Sequence, residues 1–202
     1  MNIFITIFTI YIFYIYIKMG QYYRIIILAD KKFKKEIIRT WMCPRTYSNG
    51  AKLTEHSYIG NNFVQALEHL ISPKGMFYMS RILWAGDYAD SEEDEENNLY
   101  RLTEYNENIQ SPESIDTECY RYIVNHTKNL YVDKKRNHIK GQNMNELIIH
   151  PLPLLVSEGN GRGGGDYCGK NNELCGTWAR DTISVEETIP SNFEELVCDF
   201  CE

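Results

Sequence analysis

Apolar residues in this chain come in short runs divided by charged or turn-forming stretches, and the spacing within each run sets the element it predicts. Tyr22 to Leu28, with RIIIL at its centre, reads as a strand bounded by the charged DKKFKKE. Cys43-Pro44 through Asn49-Gly50 is turn chemistry, and Asn49-Gly50 is suited to closing a hairpin into KLTEHSY. Phe63, Leu67, Leu70 and Ile71 recur at helical spacing, with Asn61 or Asn62 as cap and Ser72-Pro73-Lys74-Gly75 as stop, so a helix is expected over 62–71. Met76 to Trp84 reads as a strand of mixed faces and Leu99 to Tyr105 as another short element. YRYIV and LYVD read as a hairpin. LIIHPLPLLV is a strand-like run that empties into a glycine loop.

Strands follow one another here without intervening helices, which argues against a doubly wound sheet. The expected fold class is α+β: a single domain over 19–202 of short, mostly antiparallel strands, with one clear helix and long polar loops. A length of 202 residues is enough for a substantial core.

Residues 3–17, IFITIFTIYIFYIYI, form an uncharged apolar block. As a helix it would span roughly 22 Å at ~1.5 Å per residue, against a hydrocarbon core of about 30 Å. A signal peptide would carry a basic n-region and a small-residue cleavage site, and neither is present. Three readings stand: an extension upstream of a start at Met19, a short single-pass membrane anchor, and a signal peptide. A start at Met19 would place the protein in a cytoplasm. Membrane association follows only if residues 1–18 are translated.

The chain is 43% hydrophobic and 13% aromatic, an ordinary globular composition. A formal charge of −7 and a pI near 5.3 argue against a surface that coats nucleic acid. Seven carboxylates between Asp87 and Glu96 cannot pack in a core, so this segment is expected to be solvated and mobile. It lacks the spacing of an EF-hand. His69 has no partner at i+4 and reads as a surface or satisfied residue. His150, between apolar runs and before Pro151, reads as a buried, hydrogen-bonded histidine, with acid/base chemistry as the minority reading. Asn125-His126-Thr127 is a glycosylation sequon whose simpler reading is an Asn-rich turn.

Six glycines crowd Gly159 to Gly169. Ordering them is costly in backbone entropy, and one use that offsets the cost is a backbone able to converge on an anion, with Arg162 and Asp166 beside it. Gly159-x-Gly161-x-x-Gly164 is not a dinucleotide fingerprint, because no helical period follows it. Gly169-Lys170-Asn171 is not a P-loop.

Two short echoes stand out. Trp84-Ala85-Gly86-Asp87 and Trp178-Ala179-Arg180-Asp181 both place Trp three residues before Asp, and Gly86-Asp87-Tyr88 recurs as Gly165-Asp166-Tyr167. If these turns are neighbours, Asp87, Arg162, Asp166, Arg180 and Asp181 line one polar pocket walled by Trp84 and Trp178.

Cysteines fall at 43, 119, 168, 175, 198 and 201. Only Cys198-Asp199-Phe200-Cys201 is a tight pair, so free thiols are the default and zinc or a disulfide the alternatives.

MGQYY from Met19, GAKLTEHSYIGNNFV, ILWAGDYAD, HPLPLLVSEGNGRGGGDY and TWARDTISVEE together resemble the uncharacterised "MGQYY" proteins of bacteria, phages and giant DNA viruses. The resemblance covers most of 19–202. It implies a natural start at Met19 and a composition shaped by a giant-virus genome. It implies no activity, so it supplies neither catalytic residues nor a cofactor. Gly20 suggests myristoylation only weakly, since Arg24 stands where Ser or Thr is wanted.

The leading expectation is a binding or interaction protein taking a small polar or phosphorylated ligand, or a protein partner. An alternative is a metal-dependent hydrolase or phosphotransfer enzyme using Asp87, Asp166 and Glu158 around a divalent cation. A third is a membrane-anchored display of the same domain.

Overall fold

The computed structural model describes residues 21–29, 35–110, 117–138, 148–160, 165 and 167–200. The apolar block 3–17, together with Arg162, Asp166 and Cys201, lies outside the described residues. Eight strands form one sheet: β1 (Tyr23–Leu28), β2 (Ile38–Met42), β3 (Ser80–Gly86), β4 (Tyr122–Asn125), β5 (Leu130–Asp133), β6 (Ser157–Glu158), β7 (Thr182–Glu186) and β8 (Glu194–Glu195). Their order is β2-β1-β3-β7-β4-β5-β8, with β6 on β3. All pairings are antiparallel except β3 with β6 and β5 with β8. The class is therefore α+β with strands dominating.

The run RIIIL forms β1 because that strand is covered on every side. It pairs β2 along one edge, Ile26 opposite Trp41, and β3 along the other, Ile26 opposite Leu83. Ile25 and Ile27 enter the main core with Ile82 and Trp84, while Ile26 and Leu28 pack the opposite face with Leu83, Ala85 and Leu99. Two buried faces call for a continuous apolar run rather than an alternating one. On the second edge of β3, β7 pairs with Ser80 and Arg81, and β6 with Trp84 and Ala85.

Short helices cover this sheet: α1 (Leu53–His56), α2 (Asn62–Ile71), α3 (Leu99–Leu102), α4 (Lys134–His138) and α5 (Pro151–Leu155). The expected helix is α2, and Asn61 caps it by accepting from the backbone N–H groups of Phe63 and Val64. Phe63, Val64, Leu67, Leu70 and Ile71 enter the main core. Glu68 is buried on the same face, at 2% exposure.

Several expectations change. Pro44–Tyr47 is a 3-10 turn, and Leu53–His56 is helical, so Asn49-Gly50 closes no hairpin into KLTEHSY. The strand expected from Met76 begins at Ser80, after a run of turns. The short element expected over Leu99 to Tyr105 is present, as helical turns. The strand-like HPLPLLV is mostly helix α5: His150 caps it, and both prolines sit in the first turn, where helical N–H groups need no intrahelical acceptor.

The acidic segment also differs. Glu92 N–H donates to Asn97 O at 3.1 Å, and Asp94 occupies the left-handed region at φ 62°, so the segment is folded into a turn. Glu92 is held by Arg180 and Glu95 by Lys35, while Asp90, Glu93, Asp94 and Glu96 are exposed, so most of its carboxylates are solvated as expected. No helix among the described residues is long and apolar enough to cross a membrane.

Candidate functional site

The tryptophan-bearing turns do lie side by side, but their rings face inward. Trp84 N–H donates to Val156 O, Trp178 N–H to Leu155 O and Arg180 N–H to Ile82 O, at 2.8–2.9 Å. Trp84 is 0% and Trp178 1% exposed, so neither walls an open pocket. Trp84 Nε1–H donates to His56 Nε2 at 2.9 Å, and the other ring nitrogen of His56 meets Gly50 O at 3.0 Å. Burial drives the His56 imidazole down to about 4, against the upward pull of the Gly50 carbonyl and of Glu55. This neutral ring is part of the core.

The charges expected to converge there are divided. Asp87 Oδ1 accepts from Tyr22 N–H at 3.0 Å, beyond the C-terminal end of β3. Asp181 accepts from Asn125 and Lys128, and its carbonyl receives Ile82 N–H near the start of β3. Ile82 to Asp87 is roughly 17 Å along a strand at ~3.3 Å per residue. Arg180 forms double hydrogen bonds to both Glu92 (2.7 and 2.9 Å) and Glu158 (2.5 and 2.8 Å). Arg81 does the same to Glu36, at 2.7 and 2.8 Å. These side chains knit β3, β6 and the acidic turn together, with Arg180 itself left-handed at φ 68°. Glu158 is committed to Arg180, and no cluster suited to a metal is found among the described residues.

The glycine loop is described only in part. At Gly165 a Cβ would come 2.8 Å from Ser157 Oγ and 3.0 Å from Leu53 Cδ2, so the backbone there is pressed against α1 and β6 and only glycine fits without displacement. The described cysteines are free of disulfides. Burial raises the Cys198 thiol to about 12, which makes it a poor thiolate.

A different cluster opens to solvent. A cavity of about 480 Å³ lies between α2, the start of α4 and the segments before β4 and α5, and its lining includes Gln65, Glu68, Thr117, Arg121, Lys134 and His150. The size suits a small molecule, whose sites run from roughly 300 to 1,000 Å³. At its floor, Glu68 Oε1 accepts from Lys134 Nζ and lies 3.0 Å from His150 Nε2, while Oε2 accepts from Thr117 Oγ1 at 2.6 Å. Burial alone would push the Glu68 carboxyl up, but the Lys134 ammonium and the His150 ring hold it at about 2. His150 Nδ1 accepts from Leu152 N–H at 3.2 Å, which assigns the ring proton to Nε2 and turns it on Glu68.

The lining sets three cations, Lys134, Lys135 and Arg121, beside two carboxylates, Glu68 and Glu118. Lys134 is 8% exposed and carries three N–H donors, yet Glu68 is its one side-chain acceptor among the described residues. Lys135 and the Gln65 amide have none among the described residues. Arg121 turns Nε and one terminal nitrogen on Asp133, and that pairing raises the guanidinium further above its usual range.

His150 is the buried, hydrogen-bonded histidine the sequence suggests. Glu68 escaped the sequence reading, although a signal was present: it is four residues from Val64 and three from Ile71, a carboxylate on the apolar face of an amphipathic helix. No family model, curated protein or solved structure matches this chain.

Proposed function

We propose that this chain is a binding domain for a small oxyanion-bearing ligand, held in the cavity over Glu68, Lys134 and His150. The observation that carries the reading is the nearly buried Lys134 ammonium, which faces an open cavity with donors left over. Burying an ion pair costs several kcal/mol of desolvation per ion, and apolar side chains would stabilise a core at least as well. A charged cluster kept at a cavity wall is therefore better explained by what it contacts than by stability, and ligand oxygens would complete the shell of Lys134, Lys135 and Arg121.

Binding fits better than proton-transfer chemistry. Both ring nitrogens of His150 are engaged, and Glu68, held near 2, is a weak base with its oxygens already accepting bonds. The reading keeps the class of ligand expected from the sequence, small and polar or phosphorylated, and moves its site away from the tryptophan turns. The likeness to "MGQYY" proteins is compatible with it and adds no activity.

Titration calorimetry with inorganic phosphate, sulfate and acetate tests the reading. Binding of at least one anion is expected, weakened tenfold or more in Lys135→Ala. It should be lost in Glu68→Leu/Lys134→Met, where replacing both charges together avoids stranding one of them. Equal affinity in wild type and the double variant sinks the proposal.

A further inference from the structure

Resting on that reading, we infer that Asp133, which lies outside the described lining of the cavity, is a positioning residue that holds Arg121 and the start of α4 in place before an anion arrives. The β4–β5 hairpin brings the cations of the cavity together. Arg121 stands one residue before β4, Lys134 and Lys135 directly follow β5, and Lys134 N–H donates to Arg121 O at 3.1 Å, so both ends of the ribbon reach the cavity. Asp133 ends β5, opposite Tyr122.

Its carboxylate serves both ends. Oδ1 accepts from Arg121 Nε at 2.8 Å and from the backbone N–H of Lys135 at 3.0 Å, and Oδ2 accepts from Arg121 Nη2. One oxygen thus ties the guanidinium to the first turn of α4, where it satisfies an N–H group with no intrahelical acceptor. The Arg121 side chain is 43% exposed and that of Asp133 8%. A long cation so exposed would spread over many rotamers, and a double hydrogen bond to a buried carboxylate fixes its plane. Order established before binding need not be drawn from the affinity of the ligand. The Arg121 hydrogen bonds in turn hold the Asp133 carboxyl below the usual carboxylate range, so it stays charged at neutral pH.

The sign of the effect makes this role testable. Acting only as a negative charge near an anion site, Asp133 would repel the ligand, and its removal would tighten binding. Acting through Arg121, it does the reverse. Asp133→Asn keeps the size of the side chain and an acceptor for the Lys135 N–H, but it removes the charge and sets an amide donor against the guanidinium.

Titration calorimetry on the full chain, with whichever of phosphate, sulfate and acetate wild type binds most tightly, separates the two. Asp133→Asn should weaken that anion at least threefold while circular dichroism shows the fold retained. Asp133→Ser, which keeps a capping oxygen and frees the arginine, is the second variant and should behave alike. Arg121→Ala should weaken wild type about fivefold but add less than twofold to the loss in Asp133→Asn, the non-additivity of two residues acting as one. An Asp133→Asn affinity equal to or above that of wild type overturns this inference and leaves the anion site standing. So does a loss that Arg121→Ala deepens as much as it does in wild type. Failure of wild type to bind any of the three anions removes the anion site and this inference with it.

Discussion

Two charged clusters sit in this fold, and they are built to opposite ends. Around Arg180 and Arg81, three carboxylates and two guanidiniums meet in paired hydrogen bonds that leave little charge unanswered. Around Lys134, the carboxylates of Glu68 and Glu118 and the cations Lys135 and Arg121 line a cavity. The first has the convergence of charge that sequence motifs suggest for a site, and it acts as a clamp. The second is assembled from residues with no motif between them, and it is left chemically unfinished. Convergence alone does not mark a site.

Removing the clamp tests that division most severely. Arg180→Met strands Glu158 and Glu92 and should cost about 3–5 kcal/mol, the range for breaking a largely buried pair, read from urea denaturation. Phosphate affinity measured on the folded fraction should move less than twofold. A tenfold loss of affinity would mean that the two clusters are one functional unit.

Acid separates the core from the cavity. The His56 ring, held at about 4 when folded against 6.5 when unfolded, contributes stability that is fully present above pH 6.5 and lost as pH falls from 6.5 toward 4. The loss should total about 3 kcal/mol, at ~1.4 kcal/mol per pH unit. Glu68, depressed to about 2 from 4.5, keeps its contribution until pH falls below 4.5. Denaturation midpoints measured between pH 7 and 4 should therefore fall in wild type and flatten in His56→Gln. A pH-independent wild type would show that His56 is not held neutral.

Asn61→Ala should cost about 1 kcal/mol through the lost cap and loosen the helix that carries Gln65 and Glu68. Its effect on ligand affinity should exceed that of any clamp variant of equal stability. The smallest effect is expected at Lys128→Ala: the pair with Asp181 is partly exposed, at 41% and 13% side-chain exposure, and such pairs contribute ~1 kcal/mol or less. A larger loss would show that Asp181 does more than tie two loops.

Elements whose local pattern agrees with their environment were legible in the sequence. RIIIL is apolar because β1 is covered on both faces, and α2 announces itself through a cap, a period and a stop. The β4–β5 hairpin likewise needs only its own residues. HPLPLLV misleads because prolines forbid a helix interior but not a first turn, and periodicity alone cannot tell these apart. The acidic turn is largely solvated, as its charge implies, but its ordering was not legible because the residues that hold Glu92 and Glu95, Arg180 and Lys35, come from elsewhere in the chain. Trp84 was noticed for its echo with Trp178, but a buried ring donating to His56 is explained by packing. Glu68 and Lys134 stand 66 residues apart, and His150 another stretch beyond, so no local window contains the cavity.

Distance along the chain has a kinetic consequence. Arg81 on β3 and Arg180, two residues before β7, are 99 residues apart, and long-range antiparallel closure of this kind is slow relative to local hairpins. The β4–β5 ribbon can form on its own while the two halves of the sheet remain unjoined. During synthesis, Lys134 emerges well before β7 and must wait for it. Ligand competence in a refolding experiment should thus arrive with the last phase, when the two halves of the sheet finally zip together.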